Sequence, residues 1–250
     1  MILVTDFDNT LYSRSDSQVL VNNLQAAQSF RQAGNKFVLA TGRNVSSLGR
    51  VLPDFDKYFD YVILDNGAVC LNQNNEVVFQ YTIPEEIARN ISQMISDEYG
   101  NEVAFVYYHS AKEWPTLDHD TTKLRCWTTN VNIGSNILEM VNQNYDRQVR
   151  SFLAKEASLS SVKWIDEGER FHSFVDIMSK EAGKENAIHR LISSFPDETI
   201  ITVGDDTNDV GMLTAFDGYA MQGSVQEVLE VIPSDHVVSS VAELIRLISD

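Results

Sequence analysis

Three short apolar runs, each ending abruptly in polar residues, constrain the fold of this chain most. Ile2-Leu3-Val4, Phe37-Val38-Leu39-Ala40 and Tyr61-Val62-Ile63-Leu64 are apolar without alternation, the mark of strands covered on both faces. Between the first two, Leu20, Leu24, Ala27 and Phe30 recur at helical spacing, and Gly34 stands where a C-terminal cap belongs. That spacing predicts a helix over 17–33. A second, shorter helix is expected around 45–52. The β-α-β-α-β order predicts an α/β fold, a Rossmann-like, doubly wound parallel sheet. Ligands of such sheets lie beyond the carboxyl ends of the strands. Asp6, Thr41 and Asn66 fall there.

After Asn66 the rhythm changes. Residues 68–71 and 77–80 flank Asn72-Gln73-Asn74-Asn75-Glu76, a polar turn that predicts a hairpin. Pro84-Glu85-Glu86 opens a helix carrying Ile87, Ile91, Met94 and Ile95, which Tyr99-Gly100 closes. A strand over 102–108 and a polar, aperiodic loop over 109–122 follow. A helix over 135–142 and strands over 148–154, 162–165 and 171–177 complete the stretch. Strands bunched with two helices predict an α+β module over about 80–178, inserted into a core formed by 1–79 and 179–250. From Lys184 the alternation returns: helix 184–195, strand 199–203, helix 208–215, strand 219–221, helix 225–232, strand 237–238 and a last helix from Val241.

Charge narrows the partners. Among 250 residues, 19 Lys and Arg face 36 Asp and Glu, a formal charge of −17. Such a surface repels polyphosphate, so no nucleic-acid partner is expected, and a phosphate-bearing ligand needs a local device such as a metal ion. Cys70 and Cys126 have no Cys-x-x-Cys spacing and read as reduced structural thiols. The N-terminal apolar run is too short for a signal segment, and no stretch reaches the length of a membrane span. A cytoplasmic protein with no membrane partner is the expectation.

Four polar clusters sit at predicted element ends. Asp6-Phe7-Asp8-Asn9-Thr10 follows the first strand. If the strand continues, residues i and i+2 share a side, and two carboxylates in one space require a cation or a proton. Taken alone, the pattern is equally a solvated acidic turn. Gly204-Asp205-Asp206-Thr207-Asn208-Asp209 follows another strand and leads into a helix. Asp209 there could complement the helix dipole and Thr207 could cap it, which leaves Asp205 unexplained. Oxygen donors from two strand ends suit Mg²⁺. Thr41-Gly42-Arg43 offers a hydroxyl and backbone N–H groups at a loop-to-helix transition, or is a plain turn with a surface Arg. Lys184 opens a helix whose dipole it opposes, so a nearby acidic cluster, or exposure to solvent, must account for it.

In this order, DFDNT, TGR, GKENAI and GDDTND resemble the motifs of the haloacid dehalogenase (HAD) superfamily of phosphotransferases, over nearly the whole core. The insertion after Asn66 is similar to the family's class IIB cap, as in Cof-type and sucrose-phosphate phosphatases. The resemblance implies a Mg²⁺-dependent phosphoric monoester hydrolase acting on a small phosphorylated metabolite, a sugar phosphate by class, through an aspartyl-phosphate. It implies Asp6 as nucleophile, Asp8 as general acid and base, and Thr41 and Lys184 as catalytic partners. Metal ligation falls to Asp6, the Asp8 carbonyl, Asp205 and Asp209. Substrate contacts fall to Thr41, Gly42, Arg43, Asn66, Lys184 and Asn208, with Arg43 either steering substrate or bracing its motif. Asp206, where the family often has Gly or Ser, is expected to face solvent. Substrate choice is expected from the cap, with Trp114, His119, Lys123 and Arg125, or Trp164 and Glu167 to Arg170, as contacts. Other readings are a phosphosugar mutase, a phospho-accepting signalling domain and a sugar-phosphate-binding protein.

Overall fold

Apolar runs without alternation need cover on both sides, and the chain supplies it by returning helices across a sheet. A computed structural model describes residues 1–114, 117–155 and 173–249. In chain order the strands and helices are β1 (Ile2–Thr5), α1 (Ser17–Gln32), β2 (Lys36–Ala40), α2 (Val45–Val51), β3 (Tyr61–Leu64), β4 (Val69–Asn72) and β5 (Val77–Gln80). Next come α3 (Glu85–Tyr99), β6 (Val103–His109), β7 (Lys112–Trp114), β8 (Lys123–Thr128), α4 (Val131–Tyr145), β9 (Val149–Lys155) and β10 (Ser173–Ser179). The chain closes with α5 (Lys184–Ile192), β11 (Ile200–Gly204), α6 (Val210–Ala215), β12 (Asp217–Met221), α7 (Gln226–Leu229), β13 (Val237–Val238) and α8 (Val241–Ser249). Two compact units result, one of residues 1–79 and 183–250, the other of 80–182.

The first unit holds a sheet in the order β13-β12-β11-β1-β2-β3-β4-β5. Pairing is parallel from β13 to β3, and β4 runs antiparallel to β3. β1 is buried along its whole length, and Phe37, Val38, Leu39 and Ala40 of β2 are buried likewise. Chain direction places the carboxyl ends of β11, β1 and β2 side by side: the chain passes from β1 to β2 on one flank, and β11, entered after α5, lies on the other. That is the topological switch at which such sheets place ligands. Asn23, buried within α1, ties the layer together: its Nδ2 donates to the Leu11 carbonyl (3.0 Å) and its Oδ1 accepts from the Ala242 N–H (2.9 Å).

The second unit holds an antiparallel sheet in the order β7-β6-β8-β10-β9. Ile91 and Ile95 of α3 and Ile137 and Val141 of α4 pack on Leu124, Cys126, Val175 and Ile177. Alternation then turns Tyr108, Lys123, Arg125, Trp127, Phe174 and Asp176 to the opposite face. Here the structure departs from expectation. The 109–122 loop contains β7, reached through a turn in which Ser110 (φ 48°) and Ala111 (φ 62°) are left-handed. β8, over residues to which the sequence reading assigns no element, pairs on both sides. α4 starts four residues earlier than predicted because Asn130 caps it, accepting from the Asn132 N–H at 3.0 Å. The predicted strand 162–165 lies outside the described residues, as do Phe171 and His172 of the next predicted strand.

Burial pushes both thiols, Cys70 and Cys126, up to about 12, so they stay protonated and unreactive. Among the described residues no helix is long and apolar enough to cross a membrane.

Candidate active site

β1 ends at Thr5, and Asp6 follows with its N–H still donating to the Val203 carbonyl of β11 (2.9 Å). Asp6 is therefore fixed by the sheet, with its carboxylate buried. β11 ends at Gly204, and Asp209 folds back over that glycine. A Cβ at Gly204 would sit 2.6 Å from the Asp209 carboxylate. This approach lets Asp209 Oδ2 accept the N–H groups of Asp205 (3.0 Å) and Asp206 (3.2 Å). The Asp206 side chain is exposed and accepts from the Thr207 N–H at 2.6 Å, capping the short helix Thr207–Asp209.

Lys184 enters from the first turn of α5, wholly buried, with Nζ 2.6 Å from Asp6 Oδ1 and 2.5 Å from Asp209 Oδ1. The acidic cluster is the reason a cation can stand at that helix start. Oxygen atoms of Asp6, Asp205 and Asp209 all lie within 4.8 Å of one another. Burial raises the Asp6 carboxyl well above the usual carboxylate range, and the charges of Asp209 and Asp205 add to the rise against Lys184. Burial also pushes Asp205 up to about 6, with Asp209 adding to it, against hydrogen bonds from Thr10 and Asn9. Burial alone would lower the Lys184 ammonium, but Asp209 and Asp6 more than offset it and hold the proton. Three buried carboxylates thus face one ammonium, and a divalent cation fits the remaining charge and the hard oxygen donors. Asp6 and Asp205 have lone pairs to offer. Both oxygens of Asp209 are already engaged by protein donors.

Other predicted residues gather around this cluster. Thr41 is buried, and its Oγ1 accepts from the Arg43 N–H at 3.1 Å. Asn208 Nδ2 donates to Asn66 Oδ1 at 2.9 Å, and a Cβ on Gly42 would lie 2.9 Å from the same oxygen. Asp8 behaves differently from the strand-parity expectation. β1 stops before it, the chain turns, and its carboxylate lies outside the acid cluster in a two-point pair with Arg43. Thr10 is the residue that sequence reasoning passed over as a site member: its buried Oγ1 donates to Asp205 Oδ1 at 2.9 Å. A polar residue four places after Asp6, just before buried Leu11, was the available signal.

In the second unit, Lys123, Arg125 and Asp176 share the sheet face opposite α3 and α4. Arg125 holds Asp176 at 2.5 Å and 2.6 Å and lies 3.8 Å over the Phe174 ring. The Asp176 carboxyl is buried, which would raise it, but Arg125 and then Lys123 bring it below its ordinary value. His119 pairs with Asp118 and meets the His109 ring edge-on at 4.4 Å. The side chain of Trp114, together with Trp164 and Glu167 to Arg170, lies outside the described residues.

Comparison with known proteins identifies the family and the fold. The model of the haloacid dehalogenase-like hydrolase family matches residues 3–243. TM0651 from Thermotoga maritima superimposes with a TM-score of 0.76 at 20% identity, over 100% of this chain and 97% of that one. The phosphatase BT1666 from Bacteroides thetaiotaomicron gives 0.71 at 20% identity, over 99% and 93%. The subclass IIB sugar phosphatase BT4131 gives 0.72 at 17% identity, over 99% and 98%. No curated protein matches the chain.

Proposed function

Because this chain belongs to the haloacid dehalogenase-like hydrolase family, we propose that it is a Mg²⁺-dependent phosphatase of a small phosphorylated metabolite, a sugar phosphate by class. The observation that carries the reading is the buried Asp6 carboxylate held by Lys184 beside Asp205. A nucleophile for an anionic ester must sit where positive charge can be concentrated and water kept out.

Asp6 attacks phosphorus, the P–O bond to the leaving group breaks, and its electron pair stays on the leaving oxygen. Asp8 gives that oxygen a proton. The Asp8 carboxylate then takes a proton from water, whose oxygen attacks the aspartyl-phosphate, releasing phosphate and restoring Asp6. Lys184 keeps its proton throughout and offsets charge on the nucleophile and the transferring group. Thr41 donates to a phosphoryl oxygen, and Asn66 and Asn208 hold each other at the rim. Asp6, Asp205 and the Asp8 carbonyl would hold Mg²⁺, while Asp209 holds Lys184 and the 205–206 backbone. When bound, the metal supplies neutralisation of the anionic oxygens that meet in the transition state. Substrate choice belongs to unit 80–182, the insertion that resembles the family's cap. The likeness to a sugar phosphatase supports the sugar-phosphate class.

The test is phosphate release from a panel of phosphorylated sugars with Mg²⁺, comparing the native protein with Asp6→Asn. Release lost in Asp6→Asn supports the reading. Release unchanged in that variant removes Asp6 as nucleophile, and isomer formation without release makes the protein a mutase.

A further inference from the structure

Asp8 is two residues past the nucleophile candidate, and its side chain is 38% exposed. A carboxylate so placed would sample several rotamers unless something held it. Arg43 holds it at both oxygens, Nε to Oδ2 and Nη2 to Oδ1, each at 2.7 Å. The guanidinium is itself fixed from other directions. Its Nη1 donates to the Ser47 carbonyl at 2.9 Å, its Cζ lies 5.1 Å from the Phe7 ring centre, and the Arg43 backbone N–H reaches Thr41 Oγ1. Ser47 is locked in turn by reciprocal bonds with Asn44 at the start of α2 (2.7 Å and 3.1 Å).

We propose that Arg43 is a positioning residue for Asp8, setting the direction of the acid–base carboxylate instead of binding the phosphoryl group. The inference rests on the phosphatase reading above. A planar fork on a carboxylate fixes its plane as well as its place, which a lysine ammonium cannot do. Each carboxylate oxygen keeps a second lone pair for the substrate side. Arg43 thus joins the second motif to the first through side chains alone, 35 residues apart in sequence.

The experiment compares native protein and Arg43→Lys on two esters with Mg²⁺. A hexose 6-phosphate needs its leaving oxygen protonated, whereas p-nitrophenyl phosphate releases a stable phenolate. A misplaced acid costs on the order of 10²-fold, so kcat on the sugar ester is expected to fall at least about tenfold further than on the aryl ester. KM is expected to move less than about threefold, since uniform binding is untouched. In an Asp8→Asn background, Arg43→Lys is expected to add less than about twofold, as members of one unit do. Equal losses on both esters, a rise confined to KM, or additivity with Asp8→Asn would overturn the proposal and assign Arg43 to the phosphoryl group. If Arg43→Lys does not fold, Asn44→Ala loosens the Ser47 anchor and carries the same comparison. Native protein that hydrolyses neither ester defeats the phosphatase reading instead, so the two failures are separable.

Discussion

Lys184 Nζ lies 2.6 Å from Asp6 Oδ1, although 178 residues separate them in sequence. The same ammonium reaches Asp209 Oδ1 at 2.5 Å, so one cation braces the ends of two parallel strands. Removing one partner of a buried pair costs about 3–5 kcal/mol, because the other charges remain buried and unpaired. Lys184→Met is therefore expected to destabilise the protein by that amount at neutral pH. A lysine whose folded pKa is raised contributes stability that is full below its unfolded value of about 10.4 and fades as pH rises through the folded value. On the acid side the gap to the native protein narrows as Asp6, whose carboxyl burial raises, becomes neutral. Urea unfolding of both proteins at pH 5 and pH 7.5 measures this, and equal stability at pH 7.5 would refute the bracing role.

Metal affinity is expected to depend on pH through Asp205, which burial holds near about 6. An acid whose folded pKa is raised binds its proton more tightly when folded, so ionising it above the unfolded value of about 3.9 costs stability. Mg²⁺ must displace that proton. Its affinity is expected to fall as pH drops through about 6, with a smaller Mg²⁺-induced rise in Tm at pH 5 than at pH 7.5. Calorimetric titration of the native protein reads both. A flat affinity across this range would contradict the assignment of Asp205 as a ligand.

What the sequence discloses follows from where each signal is local. β1, β2, β3 and β11 are legible because strands buried on both faces need continuous apolar runs. Lys184 is legible as an anomaly, a cation at the wrong end of a helix. β8 is not, because Lys123 and Arg125 look like surface residues until Asp176, 51 residues after Arg125, supplies their partner. β7 hides behind Ser110 and Ala111, whose left-handed turn carries no Gly or Asn. The Asp8–Arg43 pair is hidden for a related reason: strand parity holds only while the strand lasts, and β1 ends at Thr5.

Asp176 gives a test of the second unit alone. Its carboxylate is buried and bound at two points by Arg125. Asp176→Asn is expected to cost about 3–5 kcal/mol at neutral pH, the loss typical of a broken buried pair. Because the Asp176 folded pKa is lowered, its contribution is fully present above the unfolded value of about 3.9 and is lost as pH falls through the folded one. Hydrogen exchange of β8 and β10 amides at pH 7 and pH 3 follows the unit directly. Native protein and variant should differ strongly at pH 7 and converge toward pH 3, and no difference at pH 7 would make the pair dispensable.

Gly67 and Gly34 separate backbone strain from collision. Both have left-handed backbones, φ +97° and +91°, yet a Cβ at Gly34 meets nothing within 4 Å, whereas one at Gly67 would fall 2.2 Å from the Gly183 carbonyl oxygen. A left-handed alanine costs about 1–2 kcal/mol by itself, and that is the whole expected loss for Gly34→Ala. Gly67→Ala must also push Gly183 away, and Gly183 immediately precedes Lys184. Its destabilisation is expected to exceed that of Gly34→Ala by about 2 kcal/mol, within the range of overpacking in a rigid site. Moving the ammonium from Asp6 should also lower kcat in Gly67→Ala, with Gly34→Ala close to native. Thermal melts and turnover of the two variants in parallel check both halves. Equal melts would mean that the segment before α5 yields freely, and Lys184 would then owe its place to its two carboxylates alone.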